Sequence, residues 1–205
     1  MTTRMLIGIA GGSASGKSTL AKALSAAIQD QLGIPAMLLA TDPYMRRENG
    51  QGPTFFFKAG GVEMFNANHP ESVDWGRLLR DLDALLEQDG GPTVIVVEGL
   101  MVLHEPRVRE RLGLRLFVEL DADERALRRL LRDMQGGRAN RDPAFIANYY
   151  RESARVGHLH YVEPSRVHAD LILRGDAAWD RVRPLLLAVV EAWLRDAPAG
   201  DQAAE

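Results

Sequence analysis

The chain has 205 residues, 25 Lys and Arg against 28 Asp and Glu, and a hydrophobic share of 46%, which suits one globular α/β domain rather than a disordered or fibrous chain. A formal charge of −3 argues against a nucleic-acid polymer as partner, and the lack of cysteine removes disulfides, thiolate nucleophiles and cysteine-ligated metals. No apolar run approaches the ~18 residues of a membrane span, and Met1 to Ala10 does not read as a signal peptide, so a cytoplasmic protein with no membrane partner is expected.

Leu6 to Ala10 reads as a buried strand, followed by a glycine-rich turn and an Ala/Leu-rich helix from Lys17 to about Leu32, capped by Gly33. Ala36 to Ala40 is a second strand that ends at Thr41-Asp42. Pro43 to Pro70 has no clean period, and a loop of that length inside a compact domain is either functional or disordered. Trp75, Leu78, Leu79, Leu82, Leu85 and Leu86 form a helical stripe that Gly90-Gly91-Pro92 stops. Thr93 to Val97 has no polar face, as expected inside a parallel sheet. Leu114 to Leu120 is the next strand, Asp123 to Gln135 a charged helix, Leu171 to Leu173 a short strand, and Trp179 to Leu194 the final helix. Alternating strands and helices predict right-handed βαβ units and a three-layer α/β sandwich around a mostly parallel sheet. We expect one domain over residues 1–196, with a small lid at about 124–142 and a frayed tail at 197–205.

Gly11, Gly12, Ser13, Ala14, Ser15, Gly16, Lys17 and Ser18 fit G-x-x-x-x-G-K-[ST], with Thr19 next, and sit between a predicted strand and a predicted helix. Glycines let backbone N–H groups turn inward as an anion nest at a helix N-terminus. Lys17 then offers a point charge to the β- and γ-phosphates of a nucleotide such as ATP, and the Ser18 hydroxyl a ligand to Mg²⁺. A P-loop NTPase fold follows.

Further candidates lie at carboxyl ends of predicted strands, where ligands bind in such sheets. Asp42 is a candidate general base for an acceptor hydroxyl, or else a turn cap before Pro43. Glu98, before Gly99, can stand behind Mg²⁺, or be a solvated strand end. Arg129 and Arg132 share a helical face at i, i+3, and Arg138 and Arg141 follow in a glycine-containing stretch; mobile arginines of this kind close over phosphates. Arg125 and Arg128 read as solvated surface. The histidines show no metal-ligand spacing with acids; His69, inside Asn68-His69-Pro70, is the one placed in the long loop. Phe55-Phe56-Phe57 reads either as a base-stacking platform or as loop packing, with packing favoured, and Met37, Met45, Met64 and Met101 read as gap-filling core residues.

In order along the chain, the phosphate loop, Asp42 with Tyr44 after it, Asn68-His69-Pro70-Glu71-Ser72, Glu98-Gly99-Leu100 and Leu116-Phe117-Val118 resemble the uridine kinase/phosphoribulokinase group. So do Asp121-Ala122-Asp123, Arg128-Arg129-Leu130-Leu131-Arg132-Asp133 and Ala169 to Gly175, so that the likeness runs from about residue 5 to 176. The resemblance implies an ATP- and Mg²⁺-dependent kinase of a small alcohol, foremost the 5′-hydroxyl of uridine or cytidine, and often a homo-oligomer. It implies that Asp42 is the base and that Arg129, Arg132 and one of Arg138 or Arg141 belong to the lid. By the same likeness Tyr44, Asn68, His69, Asn148 and Tyr149 fall where the family meets its substrate, and Asp176 where it approaches adenine.

Two departures stand out. Asn68 replaces an acid that contacts ribose hydroxyls in pyrimidine kinases; its amide hydrogen-bonds a diol but brings no charge. The base-gripping hairpin that those enzymes carry before the Glu-Gly strand is absent, because only Asp89-Gly90-Gly91-Pro92 precedes Thr93. Nicotinamide riboside kinases resemble the chain in this compact middle and are the second reading of the acceptor. A nucleotide-triggered switch is the rival from another class, and the sequence has no Asn-Lys-x-Asp guanine-reading motif. A non-catalytic phosphate-loop protein is a third reading, set against intact Lys17, Ser18, Asp42 and Glu98.

Overall fold

The computed structural model describes residues 4–137 and 140–196, with Glu48 and Asn49 described by backbone alone. Arg138 and the expected tail at 197–205 lie outside the described residues. Five strands, β1 (Met5–Gly11), β2 (Ala36–Ala40), β5 (Val94–Glu98), β6 (Leu114–Glu119) and β7 (Leu171–Arg174), form one sheet in the order β2-β5-β1-β6-β7. Every pairing in it is parallel. Parallel neighbours require crossover helices on the faces, and these faces are where the apolar residues go.

Alternation along β1 divides the core in two. Met5, Ile7 and Ile9 pack with Leu24 and Ile28 of α1 (Lys17–Leu32) and with Leu186 and Val190 of α8 (Trp179–Asp196). Leu6 and Ala10 face the other way, onto Trp75, Leu78 and Leu82 of α2 (Trp75–Glu87) and onto Val102 and Val108 around the short helix α3 (Pro106–Arg109). Side chains such as Leu24, Leu78 and Leu82 have no exposed surface, and each contributes about 1.5–3 kcal/mol by leaving water. β5 lies between β2 and β1, with Val94 and Val96 in one core layer and Ile95 and Val97 in the other, so all five of its residues are buried; this is why Val94 to Val97 has no polar side. α1 ends in a left-handed Gly33, whose N–H bonds Gln29 and Ile28 carbonyls.

The structure adds elements between these layers. The segment 43–70 is ordered, with short 3₁₀ turns around an antiparallel hairpin, β3 (Thr54–Phe57) and β4 (Val62–Phe65), paired from Thr54↔Phe65 to Phe57↔Val62. Its residues escape a period search because each strand has only four residues. The charged helix α4 (Ala122–Arg132) passes into a π-type turn, Asp133–Gly137, and the helical backbone breaks at Gly136, φ +97°, directly after the expected end at Gln135. Beyond it, α5 (Pro143–Tyr149), α6 (Arg155–Gly157) and α7 (Glu163–Ser165) are joined by π-type turns at Tyr150–Ala154 and His158–Val162, all with right-handed helical junctions. Among the described residues no helix is long and apolar enough to cross a membrane.

Candidate active site

The register sets the site. Ala40 and Ile9 both pair with Glu98, so β2, β1 and β5 end together at one edge of the sheet. The ladder runs one residue further, where Thr41 N–H bonds the Glu98 carbonyl at 2.9 Å, and Asp42 begins a 3₁₀ turn with Pro43. Three sequence-distant segments therefore present Asp42, Glu98 and the phosphate loop side by side.

The loop itself is closed by Ser15 N–H to the Gly12 carbonyl at 3.1 Å. Gly16 is left-handed at φ +101°, and a Cβ there would stand 3.1 Å from the Gly175 carbonyl, so only glycine suits the position. Ala14 is also left-handed, at φ +63°, a conformation that L-residues tolerate where the surroundings over-determine it. Lys17 and Ser18 open α1, which has no acidic residue in its first turn, so the positive end of the helix faces the loop uncompensated.

Ser18 Oγ donates to Glu98 Oε1 at 3.1 Å. Glu98 is only 8% exposed, and its Oε2 has no hydrogen-bond partner among the described residues. An ionised oxygen buried without a donor is costly unless a cation answers it, and a hydroxyl beside a carboxylate is a hard-oxygen donor set. The pair fits Mg²⁺. Among the described residues no group of three or more His, Asp or Glu gathers into a self-sufficient metal site.

Four arginines of α4 divide by role. Arg129 is 9% exposed; it donates to Ser13 Oγ at 3.1 Å, lies 3.5 Å from Asp133 Oδ2, and stacks over the Tyr149 ring at 5.3 Å. Arg132 pairs with Asp133 at 2.8 Å. Arg125, expected at the surface, is instead buried against Gly12 and donates to the Leu120 carbonyl at 3.0 Å. Arg128 pairs with Glu124 one helical turn away and reaches the Gly175 carbonyl at 3.3 Å, which ties α4 to the far side of the loop.

These groups open on a cavity of about 410 Å³. Of the residues expected from the sequence it gathers Ser13, Lys17, Ser18, Asp42, Asn68, Glu98, Arg129, Arg132 and Tyr149. The Asn68 amide donates to Ser153 Oγ at 2.8 Å and to Tyr149 Oη at 3.4 Å, which locks the Asn68 loop onto the end of α5 and the turn that follows it. Others stay outside the cavity. Tyr44 is buried and donates to Asp81 Oδ2 at 2.9 Å; burial, aided by Asp81, pushes its phenol up to about 12. His69 caps the turn Pro70–Ser72 by accepting from Glu71 N–H and meets the Tyr161 ring edge-on. Asn148 and Arg141 do not line the cavity, and Asp176 is held by Arg174 at 2.9 Å beyond Gly175, on the phosphate-loop side; that bond to Arg174 keeps its carboxyl below the usual carboxylate range.

The structure also supplies wall residues that sequence reasoning missed: Met45, Arg47, Met64, Phe65, Asn140, Phe145 and Ile146. Met45 and Met64 thus line the cavity rather than fill the core. The Phe55–Phe57 run does pack: Phe55 meets Tyr149 edge-on at 5.7 Å and Phe57 meets Phe145 at 5.1 Å. The useful signal was Phe65, an aromatic at the end of a short alternating run.

Comparison with known proteins gives a consistent answer. A family model described as an AAA domain matches residues 7–147. The uridine kinase of Deinococcus deserti is 34% identical over 191 aligned positions, covering 82% of this chain and 86% of that one. The uridine kinase of Chloroflexus aurantiacus is 30% identical over 218 positions, covering 96% and 99%. Among solved structures, a candidate fructose transport system kinase from Silicibacter sp. TM1040 superposes with a TM-score of 0.65 at 20% identity, over 84% of this chain and 90% of that one. A possible uridine kinase from Bacillus stearothermophilus gives 0.54 at 16% identity over the same shares. The last two speak to the fold, the first two to descent. With a phosphate loop at the carboxyl edge of a parallel sheet, the chain belongs to the uridine kinase family of P-loop kinases and is a phosphotransferase.

Proposed function

We propose that the protein transfers the γ-phosphoryl group of ATP to a primary hydroxyl, that of the 5′ carbon of a ribonucleoside, with uridine or cytidine the first candidates. One observation carries the reading: Asp42 lines the same cavity as Lys17, Ser18, Arg129 and Arg132, and the same wall also carries apolar and aromatic side chains, Met45, Met64, Phe65, Phe145, Ile146 and Tyr149. Such a mixture suits an acceptor with one polar reacting end and a flat apolar body.

In this reading Lys17 and the loop amides hold the β- and γ-phosphates. Asp42 orients the acceptor hydroxyl and takes its proton as the new O–P bond forms and the bond to the bridging oxygen breaks, releasing ADP. Arg129 and Arg132, on the proposed lid over 124–142, offset charge on the transferring group. Arg129 is already positioned by Ser13, Asp133 and the Tyr149 ring, so little reorganisation remains. Mg²⁺, held at Ser18 with Glu98 behind it, would neutralise charge between the β- and γ-phosphates. We read residues 1–196 as one catalytic unit.

The test is ADP release from ATP with a panel of uridine, cytidine, nicotinamide riboside and unrelated primary alcohols. Release that depends on a nucleoside supports the reading. Acceptor-independent GTP hydrolysis would instead favour a nucleotide switch, and release with a non-nucleoside alcohol alone would move the acceptor elsewhere.

A further inference from the structure

The stretch Gln88 to Thr93 that enters β5 is a tight turn with Gly90 at φ +68°, leaving no room there for an acceptor-gripping element. The β3–β4 hairpin stands on the other side of α2 in the chain, and it reaches the same cavity. Its inner face, Phe55 and Phe57, packs on Tyr149 and Phe145 of α5. Its turn is fastened to the same helical segment, because Glu152 accepts from Lys58 N–H at 2.7 Å and from Ala59 N–H at 3.4 Å. Met64, opposite Phe55 on that inner face, and Phe65, opposite Thr54 at the end of the hairpin, both line the cavity, and Arg47 stacks over the Phe65 ring at 5.7 Å and lines the cavity with it.

Charge on this wall is one-sided. The carboxylates lining the cavity are Asp42, Glu98 and Asp133, and none comes from the hairpin side. Glu98 accepts from Ser18, and Asp133 pairs with Arg129 and Arg132. The hairpin side offers the Phe65 ring and a guanidinium. A flat ring placed there gains stacking whatever its identity, but a cationic ring also meets the like charge of Arg47 at short range on the cavity wall.

Building on the nucleoside kinase reading, we propose that the β3–β4 hairpin together with Arg47 is the acceptor-selecting wall of this enzyme. It selects an acceptor with a neutral or anionic planar ring over one with a cationic ring. Phe65 provides the stacking face, Arg47 provides the charge discrimination, and Glu152 is a positioning residue that holds the hairpin on α5.

The experiment compares uridine, as a neutral-ring probe, with nicotinamide riboside, as a cationic-ring probe, in the full chain. Wild type should show the higher kcat/KM for uridine. Phe65→Ala should raise the KM for uridine about tenfold or more, the usual loss when a base forfeits an aromatic platform, with the KM for ATP unchanged. Arg47→Glu should shift the uridine-to-nicotinamide-riboside ratio of kcat/KM about tenfold toward the cation. Phe56→Ala, on the outer face of the hairpin at 56% exposure and outside the cavity wall, should change neither. If Phe65→Ala loosens the hairpin and lowers Tm, Arg47→Glu still decides, since Arg47 is exposed. An unchanged ratio in Arg47→Glu, or a wild-type preference for the cationic ring, overturns the inference and leaves the kinase reading standing. No acceptor-dependent ADP release with any nucleoside overturns both.

Discussion

Gly157 is where the helical segment after α5 crosses the Asn68 loop, and replacing it with alanine tests how the acceptor side of the cavity is held. A Cβ at Gly157 would stand 2.6 Å from the Asn68 Cβ and 3.0 Å from its carbonyl carbon, with the carbonyl oxygen nearer still. Carbon atoms pack at about 3.5–4.0 Å, so the loop or the helix must give way by about 1 Å. Neither yields freely, since Asn68 is bonded to Ser153 and Tyr149 on that same helical segment. Overpacking of this kind costs about 1–3 kcal/mol, and stretching the Asn68–Ser153 bond about 1 more, against a helix-propensity gain of about 1. Gly157→Ala should therefore lose about 1–3 kcal/mol, a fall in Tm of about 4–8 °C for a mid-range loss in a chain this size. A 1 Å shift of Asn68 should also raise acceptor KM while the KM for ATP, set at the phosphate loop, stays put. Thermal melting followed by circular dichroism, alongside steady-state kinetics, reads both quantities. Wild-type Tm and wild-type acceptor KM together would refute the idea that this crossing positions Asn68.

Other expectations concern the chemistry and its environment. Asp42→Asn should lower kcat by about 10²–10⁴-fold with nucleotide affinity retained, measured as ADP release beside nucleotide-induced thermal stabilisation. Near-wild-type turnover would remove Asp42 from its role as base. Glu98→Gln should raise the Mg²⁺ concentration for half-maximal rate about tenfold, read by a Mg²⁺ titration at saturating ATP; an unchanged titration would separate Glu98 from the metal. Burial, and then the Arg125 charge, hold the His158 imidazole down to about 4, so it is neutral in the folded protein at pH 7. The unfolded chain takes up that proton near pH 6.5, so stability from this group is complete above 6.5 and is lost as pH falls toward 4. Glu163 at 3.2 Å from Nε2 partly compensates the proton, leaving about 1–2 kcal/mol, and urea melts at pH 7 and 4.5 of wild type and His158→Gln should differ by that amount.

Much of the phosphate-binding half was legible because its residues are contiguous. Gly11 to Ser18 must bend a backbone around an anion and start a helix, so the residue types announce the geometry. The strand-end positions of Asp42 and Glu98 were legible too, since parallel strands share one carboxyl edge and the register aligns Ala40, Ile9 and Glu98. Tyr44 shows the limit of motif position: it follows Asp42 by two residues, yet the 3₁₀ turn swings it inward, where Asp81 of α2 takes its hydroxyl. Arg125 shows the same on a helix, since a charged period cannot reveal which arginine lies beneath Gly12.

The sequence by itself determined the layers, the phosphate loop and the acidic residues at the sheet edge, because these follow from local periodicity and from residues that sit together in the chain. Only the tertiary structure decided which other side chains complete the cavity wall. Arg47, Phe65, Asn140 and Phe145 come from segments up to about a hundred residues apart, brought beside Tyr149 by ring packing between β3 and α5 and by the Glu152 clamp on the hairpin turn. Such contacts are non-local and tolerant of residue type, so they leave no period and no fixed spacing in the chain. The net charge of −3 conceals the result: a small excess of acid overall, with arginines facing the cavity both at the phosphate loop and on the hairpin wall.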